Sequence, residues 1–364
     1  MRSLRISIAV ITSVLISFGI IMIYSSSGIY AMHELGDGLY FLKRHLVFLI
    51  VGILGTMTVM AIDYRDLQKF SKPMLMVAIV MLVLVLIPHI GKSSYGARRW
   101  FKLGVINFQP SEYAKMVMLI YTADFLARKQ AVIRRSVKGF LPLLTVMGMV
   151  CALILKQPDL GSTLLIASVV LISFYTAGGR TRHVAFLGVL AIPAFYFLVV
   201  NVPYRWTRIV TFLDPWSDSE GAGFQLTQSQ IAFGSGGLWG VGLGKSLQKL
   251  FYLPAAHTDF ILSIIGEELG FFGAFFVISL FICFIWQGAR IAKRITDPFG
   301  YFLSIGIVSM IGLQAMVNVG VSMGALPTKG LPLPFISYGG SALIFQMMAV
   351  GLLLNISRIN DING

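Results

Sequence analysis

The chain is poor in charge. Asp, Glu, Lys and Arg make up 12% of its 364 residues, where a soluble globular chain carries about 25%. That excludes an ordinary water-soluble domain. With 57% hydrophobic residues, the chain reads as a polytopic membrane protein. Cysteine is scarce too: Cys151 and Cys283 both stand in apolar runs. No disulfide framework or zinc spacing exists, and a free cysteine in such a run is ordinarily a small buried hydrophobe. Acid is the scarcer sign, 15 Asp and Glu against 29 Lys and Arg, for a formal charge of +14. The cations lie in short loops between apolar runs, so anionic lipid and topology explain them better than nucleic acid does.

What is abundant is long apolar sequence. A membrane crossing needs roughly 20 apolar residues. Ten runs qualify, near residues 6–24, 46–62, 73–90, 111–127, 139–155, 160–177, 184–200, 259–287, 301–322 and 337–356. The first resembles a signal peptide, but it is long and nine more follow, so it is read as a retained helix. A cytoplasmic N-terminus puts most Lys and Arg in short inner loops, as the positive-inside rule requires, and both termini then face the cytoplasm. The expected fold is an all-α polytopic membrane protein with ten transmembrane helices. It forms one membrane domain over 1–364, with a large structured extracytoplasmic loop, 201–258, between helices 7 and 8. Structureless loops beyond about 12–15 residues are usually functional or disordered. This one is rich in Tyr204, Trp206, Phe212, Trp216, Phe224, Phe233 and Trp239, which argues for a folded lid with a short interfacial helix at 224–233.

Some cations stay outside against the topological bias: Arg98, Arg99 and Lys102 in the second outer loop, Arg205, Arg208, Lys245 and Lys249 in the fourth. An anionic ligand there would explain them; headgroup anchoring is the plainer alternative. Gly244-Lys245-Ser246 looks like the end of a phosphate loop, but that pattern needs a glycine where Trp239 stands.

The stretch 253–270, LPAAHTDFILSIIGEELG, closes the long loop and carries Asp259, Glu267 and Glu268 into an apolar run. Ionisable groups at membrane depth are functional hypotheses by default. Asp259 either caps the following helix or serves as a catalytic carboxylate at the membrane boundary. His257 lacks a second His or Cys at ligand spacing, which leaves a weak metal reading. Glu267 and Glu268 lie about 12 Å further along the helix and are read as structural or gating groups. Gln109-Pro110-Ser111-Glu112 starts a helix that puts Lys115 on the face of Glu112. The partner of Lys115 is then Glu112, or an acid on another helix such as Asp259. Asp159 reads as a helix cap. The last outer loop, PTKGLPLPFISYGGS at 327–341, holds proline and glycine in a fixed non-helical path. At membrane depth such a path is tolerated only where it is buried or lines a cavity, so it reads as one wall of a site.

Taken together, RRWFKLG…FQPSEYAK, KQPDLGST, FLDPW…GFQLTQSQIAFGSGG, YLPAAHTDFI…IGEELG and PTKGLPLPFISYGGS resemble the SEDS family of bacteria (shape, elongation, division and sporulation). The match runs through nearly the whole chain in order. IGEELG and KGLPLPFISYGGS look closer to the division member than to the elongation member, and a sporulation paralogue would read similarly. Ala342 stands where many members have a second Ser. The resemblance implies a peptidoglycan glycosyltransferase that polymerises lipid II at the outer face of the cytoplasmic membrane, at the division septum, beside a class B penicillin-binding protein and other division proteins. It implies Asp259 as the essential acid and Lys115 as the lysine that pairs with it. An inverting transfer needs a base for the acceptor hydroxyl and fixed positive charge for the departing pyrophosphate. Asp259 suits the first role; Arg98, Arg99, Lys102, Arg205 and Arg208 are candidates for the second. Glu112, His257, Lys329 and Ser337 complete the candidate substrate contacts. A divalent cation, Mg or Mn, would share the charge, although no ligand cluster announces it. The rivals are a lipid II flippase, for which no clear internal repeat is visible, and a scaffold, which would need neither Asp259 nor Lys115.

Overall fold

The structure is a computed structural model that describes every residue except 95, 96, 104, 105, 136–138, 180, 183, 184, 186, 187, 190, 191, 194, 195, 251, 255 and 364. It is mostly helical. The helices are α1 (Arg2–Leu35), α2 (Tyr40–Ala61), α3 (Tyr64–Lys69), α4 (Ser71–Leu84), α5 (Pro110–Arg135), α6 (Leu141–Leu155), α7 (Leu160–Thr176), α8 (Pro203–Leu213), α9 (Phe224–Gly236), α10 (Ile261–Ala292), α11 (Pro298–Ser322) and α12 (Ser341–Asn363). Five of these, α1, α2, α10, α11 and α12, are long and apolar enough to cross a membrane, and α4, α6 and α7 are shorter apolar helices. The chain is an integral membrane protein. The apolar run at 184–200 lies partly outside the described residues; its end forms a π-helical turn, Tyr196–Val200.

Helix α5 is long but mixed, and it packs in the interior against α4, α7 and α11. Its buried Asp124 explains how charge is tolerated there. The carboxylate accepts from Ser71 Oγ at 2.7 Å and Gln68 Nε2 at 3.0 Å, and pairs with Arg128 at 2.6 Å.

The all-α expectation needs one correction. Residues read as an irregular loop form an antiparallel sheet, β1 (Lys92–Ser94), β2 (Ala97–Leu103) and β3 (Ile106–Phe108), in the order β1-β2-β3. Aromatic and β-branched side chains favour a pleated, half-buried surface, and Phe101 pairs across to Phe108. The pairing of β1 with β2 shifts register between Lys92 and Ser93, which leaves Arg99 as the extra residue of a bulge.

Within 201–258 the expected short helix is present as α9. It is packed on the first turns of α10. A Cβ on Gly236 would collide with the Gly266 carbonyl, and Ser229 Oγ lies 2.6 Å from both Ser263 Oγ and the Ser322 carbonyl.

Helix α10 is broken. Gly270 has φ 67° and ψ −162°, a conformation that glycine adopts without a Cβ penalty. Groups freed by the break find partners in the long loop. Val241 N and Gly242 N donate to the Glu267 and Glu268 carbonyls at 2.9 and 3.0 Å, and Phe271 N donates to Gly237 O at 2.8 Å. The two side chains are used as well. Glu267 accepts from Leu247 N at 3.0 Å, from Gln248 N at 3.4 Å and from Ser246 Oγ. The stretch resembling a phosphate loop therefore cradles an internal carboxylate. Glu268 pairs with Lys249 at 2.8 Å and accepts from Ser25 Oγ at 2.7 Å. Both acids thus fasten the long loop to α10 and α1, which fits their reading as structural groups.

Candidate active site

The site is built where the end of the long loop meets the 327–341 segment. That segment runs without helix from Pro327 to Gly339, apart from turns, so its backbone needs partners from side chains. Gln314 Nε2 donates to Pro332 O at 2.9 Å, and Gln346 Oε1 accepts from Phe335 N at 3.1 Å. Phe335 is fully buried with φ 65°, a left-handed conformation rare for a bulky residue and held only where its surroundings over-determine it. Helix α1 presses on this turn through Gly19, whose Cβ would lie 2.7 Å from Phe335 O.

The same segment is stitched to 257–259. Ser337 Oγ donates to Thr258 O at 2.5 Å, and Tyr338 N donates to His257 O at 3.0 Å. Asn318 Nδ2 reaches both Asp259 O and Leu331 O at 2.8 Å. Asp259 is held by its backbone. It does not cap α10: the residue at that position is Phe260, without a side-chain bond. Among the described residues no hydrogen bond or ion pair closes on its oxygens. Gly330 stands against them, since a Cβ there would lie 3.1 Å from Oδ2.

Charge surrounds this carboxylate. Burial pushes Asp259 up to about 6, Arg208 and Arg99 pull it down, and the neighbouring Asp159 adds to the rise. Although Asp259 is only half-buried by its exposure, protein packs densely behind the carboxyl. Arg99 is pinned by Gln157 O at 2.6 Å and Pro158 O at 2.7 Å. Arg208, on α8, leans over the 327–341 segment with Nη1 3.5 Å from Thr328 O. Asp159 is buried and caps α7 through Ser162 N at 2.9 Å. The half-buried Lys329 has its ammonium shifted below the ordinary value by burial.

Asp259, Arg99 and Arg208 are thus brought together, with Ser337 and the His257 backbone holding the frame. The His257 ring is pushed down to about 4 by burial and lies against Phe41, ring centroids 4.5 Å apart; it is neutral packing. Lys115 pairs with Glu112 at 2.7 Å, both buried, the nearer of its two candidate partners. No acceptor meets hydrogen-bond angles at its Nζ, so the contact is a charge pairing. Lys102 and Arg98 are both exposed, and neither is among the charges that act on Asp259. Arg205 lies over the Tyr204 ring. Among the described residues no three His, Cys, Asp or Glu gather as a metal site. Gln314, Asn318, Gln346 and Gly330 were not singled out from sequence. The polar pair four residues apart within the apolar run 301–322 is the signal that could have found two of them.

A carboxylate and two guanidinium groups, set at the end of an apolar bundle, are chemically suited to proton abstraction next to an anion. A family profile described as "Cell cycle protein", covering the FtsW, RodA and SpoVE proteins, matches residues 5–362. The chain belongs to this family. It is 46% identical over 340 residues to a protein named "Probable peptidoglycan glycosyltransferase FtsW" from Geobacter metallireducens, covering 93% of this chain and 91% of that one. It is 42% identical to "Stage V sporulation protein E" of Bacillus subtilis, over 96% of each. Among solved structures it resembles a chain from work titled "Structural coordination of polymerization and crosslinking by a peptidoglycan synthase complex". The TM-score is 0.80 at 28% identity, over 97% of each chain. It also resembles the rod shape determining protein RodA of Thermus thermophilus, with TM-score 0.71 at 27% identity, over 96% and 95%.

Proposed function

We propose that this protein is a peptidoglycan glycosyltransferase that polymerises lipid II at the outer face of the cytoplasmic membrane during cell division, with inversion at the donor sugar. The observation that carries the reading is the unbonded Asp259 carboxylate beside Arg99 and Arg208, its proton affinity raised to about 6. A general base works best with a pKa near the operating pH. Asp259 takes the proton of the acceptor hydroxyl as that oxygen attacks the anomeric carbon. The bond to pyrophosphate breaks and its electron pair leaves with the phosphate, where the two guanidinium groups stabilise the charge. One displacement converts an α-linked donor into a β-linked product. The Lys115–Glu112 pair supports the site from α5. A divalent cation would supply further charge neutralisation. Mg²⁺ is commonly held by one or two carboxylates plus substrate phosphates, and the carboxylates here would need the substrate's oxygens to complete its shell.

The proposal extends to ten membrane crossings in one domain, both termini cytoplasmic, and 201–258 outside at the septum. A class B penicillin-binding protein is the partner, its single transmembrane helix docking on the lipid-facing side of α10 and α11. Disulfide crosslinking that placed that helix elsewhere on the bundle would remove the docking face. One observation favours a flippase: transporters often use broken helices. Here, however, the groups freed at Gly270 are consumed by 237–242 and line no path, which favours the enzyme. Glycan strands formed from lipid II by the purified protein with its partner test the assignment; transport without polymerisation would overturn it.

Two expected outcomes follow from the geometry. The base must be ionised, so kcat/KM should fall as pH drops through about 6, the value to which Asp259 is raised. Arg208→Ala removes a charge that favours the ionised form, so its acidic limb should move to higher pH. A pH–rate profile with an unmoved limb would disconnect Arg208 from Asp259. Gly330→Ala places a methyl 3.1 Å from Asp259 Oδ2, and a misplacement of about 1 Å can cost roughly 10²-fold. Glycan synthesis should fall by about that factor, with the melting temperature unchanged because Gly330 is exposed.

A further inference from the structure

A second cation-lined cavity lies beside the small sheet. It has a volume of about 480 Å³, open to the surface between the α1–α2 corner and the sheet, with Lys43, Arg44, Lys92 and Lys102 on its walls and Asp37 as its one carboxylate. That carboxylate is already engaged, by Lys43 at 2.8 Å and Leu39 N at 3.0 Å, so the lining is strongly positive. Lys92 and Lys102 are exposed. Lys92 pairs across to Trp100, two residues before Lys102, so the two lysines share one face of the sheet. Arg99 is not on this cavity; it is bound by Gln157 O and Pro158 O near Asp259, so the molecule has two basic recesses, one with Arg99 and one with the lysines.

The two recesses share a wall. Tyr40 lines the cavity. Its neighbour Phe41 packs on His257 at 4.5 Å and on Tyr338 at 5.2 Å between ring centroids. Asn107, also on the cavity, has its carbonyl bound by Ser341 Oγ at 3.0 Å. The segment that presents Asp259 thus packs, through Phe41, behind residues that line the second cavity.

The chemistry of the proposed reaction calls for such a pair. Two lipid pyrophosphates must be bound at once. One is at the reacting carbon and departs. The other stays attached to the acceptor, at the far end of the disaccharide whose hydroxyl attacks, and none of its bonds break. We propose that the Lys92–Lys102 cavity binds this retained pyrophosphate and so is the acceptor site, while Arg99 and Arg208 serve the donor. The inference rests on the polymerase reading above and adds to it a location and a division of labour among the cations.

The test uses the full chain with its partner in lipid nanodiscs. Lys92→Ala/Lys102→Ala should raise KM for lipid II roughly tenfold and leave kcat at saturation largely in place, and Lys92→Arg/Lys102→Arg should restore KM. The difference should persist in phosphatidylcholine discs. If it vanishes there and returns with phosphatidylglycerol, the lysines only anchor phospholipid headgroups and the proposal falls. A loss of kcat with KM unchanged also overturns it. Bound lipid II counted in Asp259→Asn separates this inference from the one beneath it. Two molecules per protein are expected, reduced to one when both lysines are also replaced; one in both cases overturns the acceptor site. Two bound molecules with no polymerisation by the wild type would instead overturn the glycosyltransferase assignment.

Discussion

Asp259→Asn should abolish glycan formation while the protein stays folded and bound to its partner. The amide keeps the shape of the carboxyl and cannot take a proton, so the loss expected is that of a general base, about 10²–10⁴-fold. Folding should survive because Asp259 is fixed through its backbone. Asn318 holds its carbonyl at 2.8 Å, and no bond to the side chain is broken by the change. Burial that raises the carboxyl to about 6 disfavours charge at this position, so the amide should be tolerated at least as well by the fold. The measurement is lipid II polymerisation by purified wild type and variant, with thermal unfolding alongside. Synthesis near the wild-type rate would return Asp259 to a merely structural role and send the search for the base elsewhere.

Lys249→Ala should be the most damaging change to stability. Lys249 and Glu268 are 3% and 0% exposed and 2.8 Å apart. Removing one partner of a buried pair leaves an uncompensated charge and costs about 3–5 kcal/mol. The Ser25 hydroxyl at 2.7 Å is one donor and cannot replace the ammonium. The double variant Lys249→Met/Glu268→Gln removes both charges and should recover most of the loss, since apolar or neutral replacements of a buried pair are often close to neutral. Unfolding in detergent followed by tryptophan fluorescence reads the difference. A single-variant cost under about 1 kcal/mol, typical of an exposed pair, would mean that water reaches Glu268.

The sequence made the membrane class, most of the helices and the acid at the loop's end legible, because apolar run length and misplaced charge are local signals. Asp259 remained open between cap and base, since residue type is equally suited to both. What removes the cap reading is the helix starting two residues later, at Ile261, a boundary set by the stitching of 257–259 to the last loop. Lys115 was ambiguous for a similar reason: helical spacing offers Glu112, and only the packing of α5 shows which acid is near. The sheet at 92–108 escaped because its strands are short and carry Lys92, Arg98, Arg99 and Lys102. Gln314, Asn318 and Gln346 are visible as polar residues in apolar helices, but the carbonyls and amides they meet depend on the path of 327–341. That path is imposed by α1 at Gly19 and by the left-handed Phe335.

The interruption at Gly270 also divides α10 mechanically. Residues 261–269 are tied by carbonyls and side chains to 241–249, whereas 271–292 continue as a rod packed on the bundle, from which Phe271 and Phe275 project. A sideways push on that rod can be absorbed by the one non-helical residue. A displacement of the 224–249 segment cannot: it drags the short N-terminal piece, and with it Asp259, as a single body.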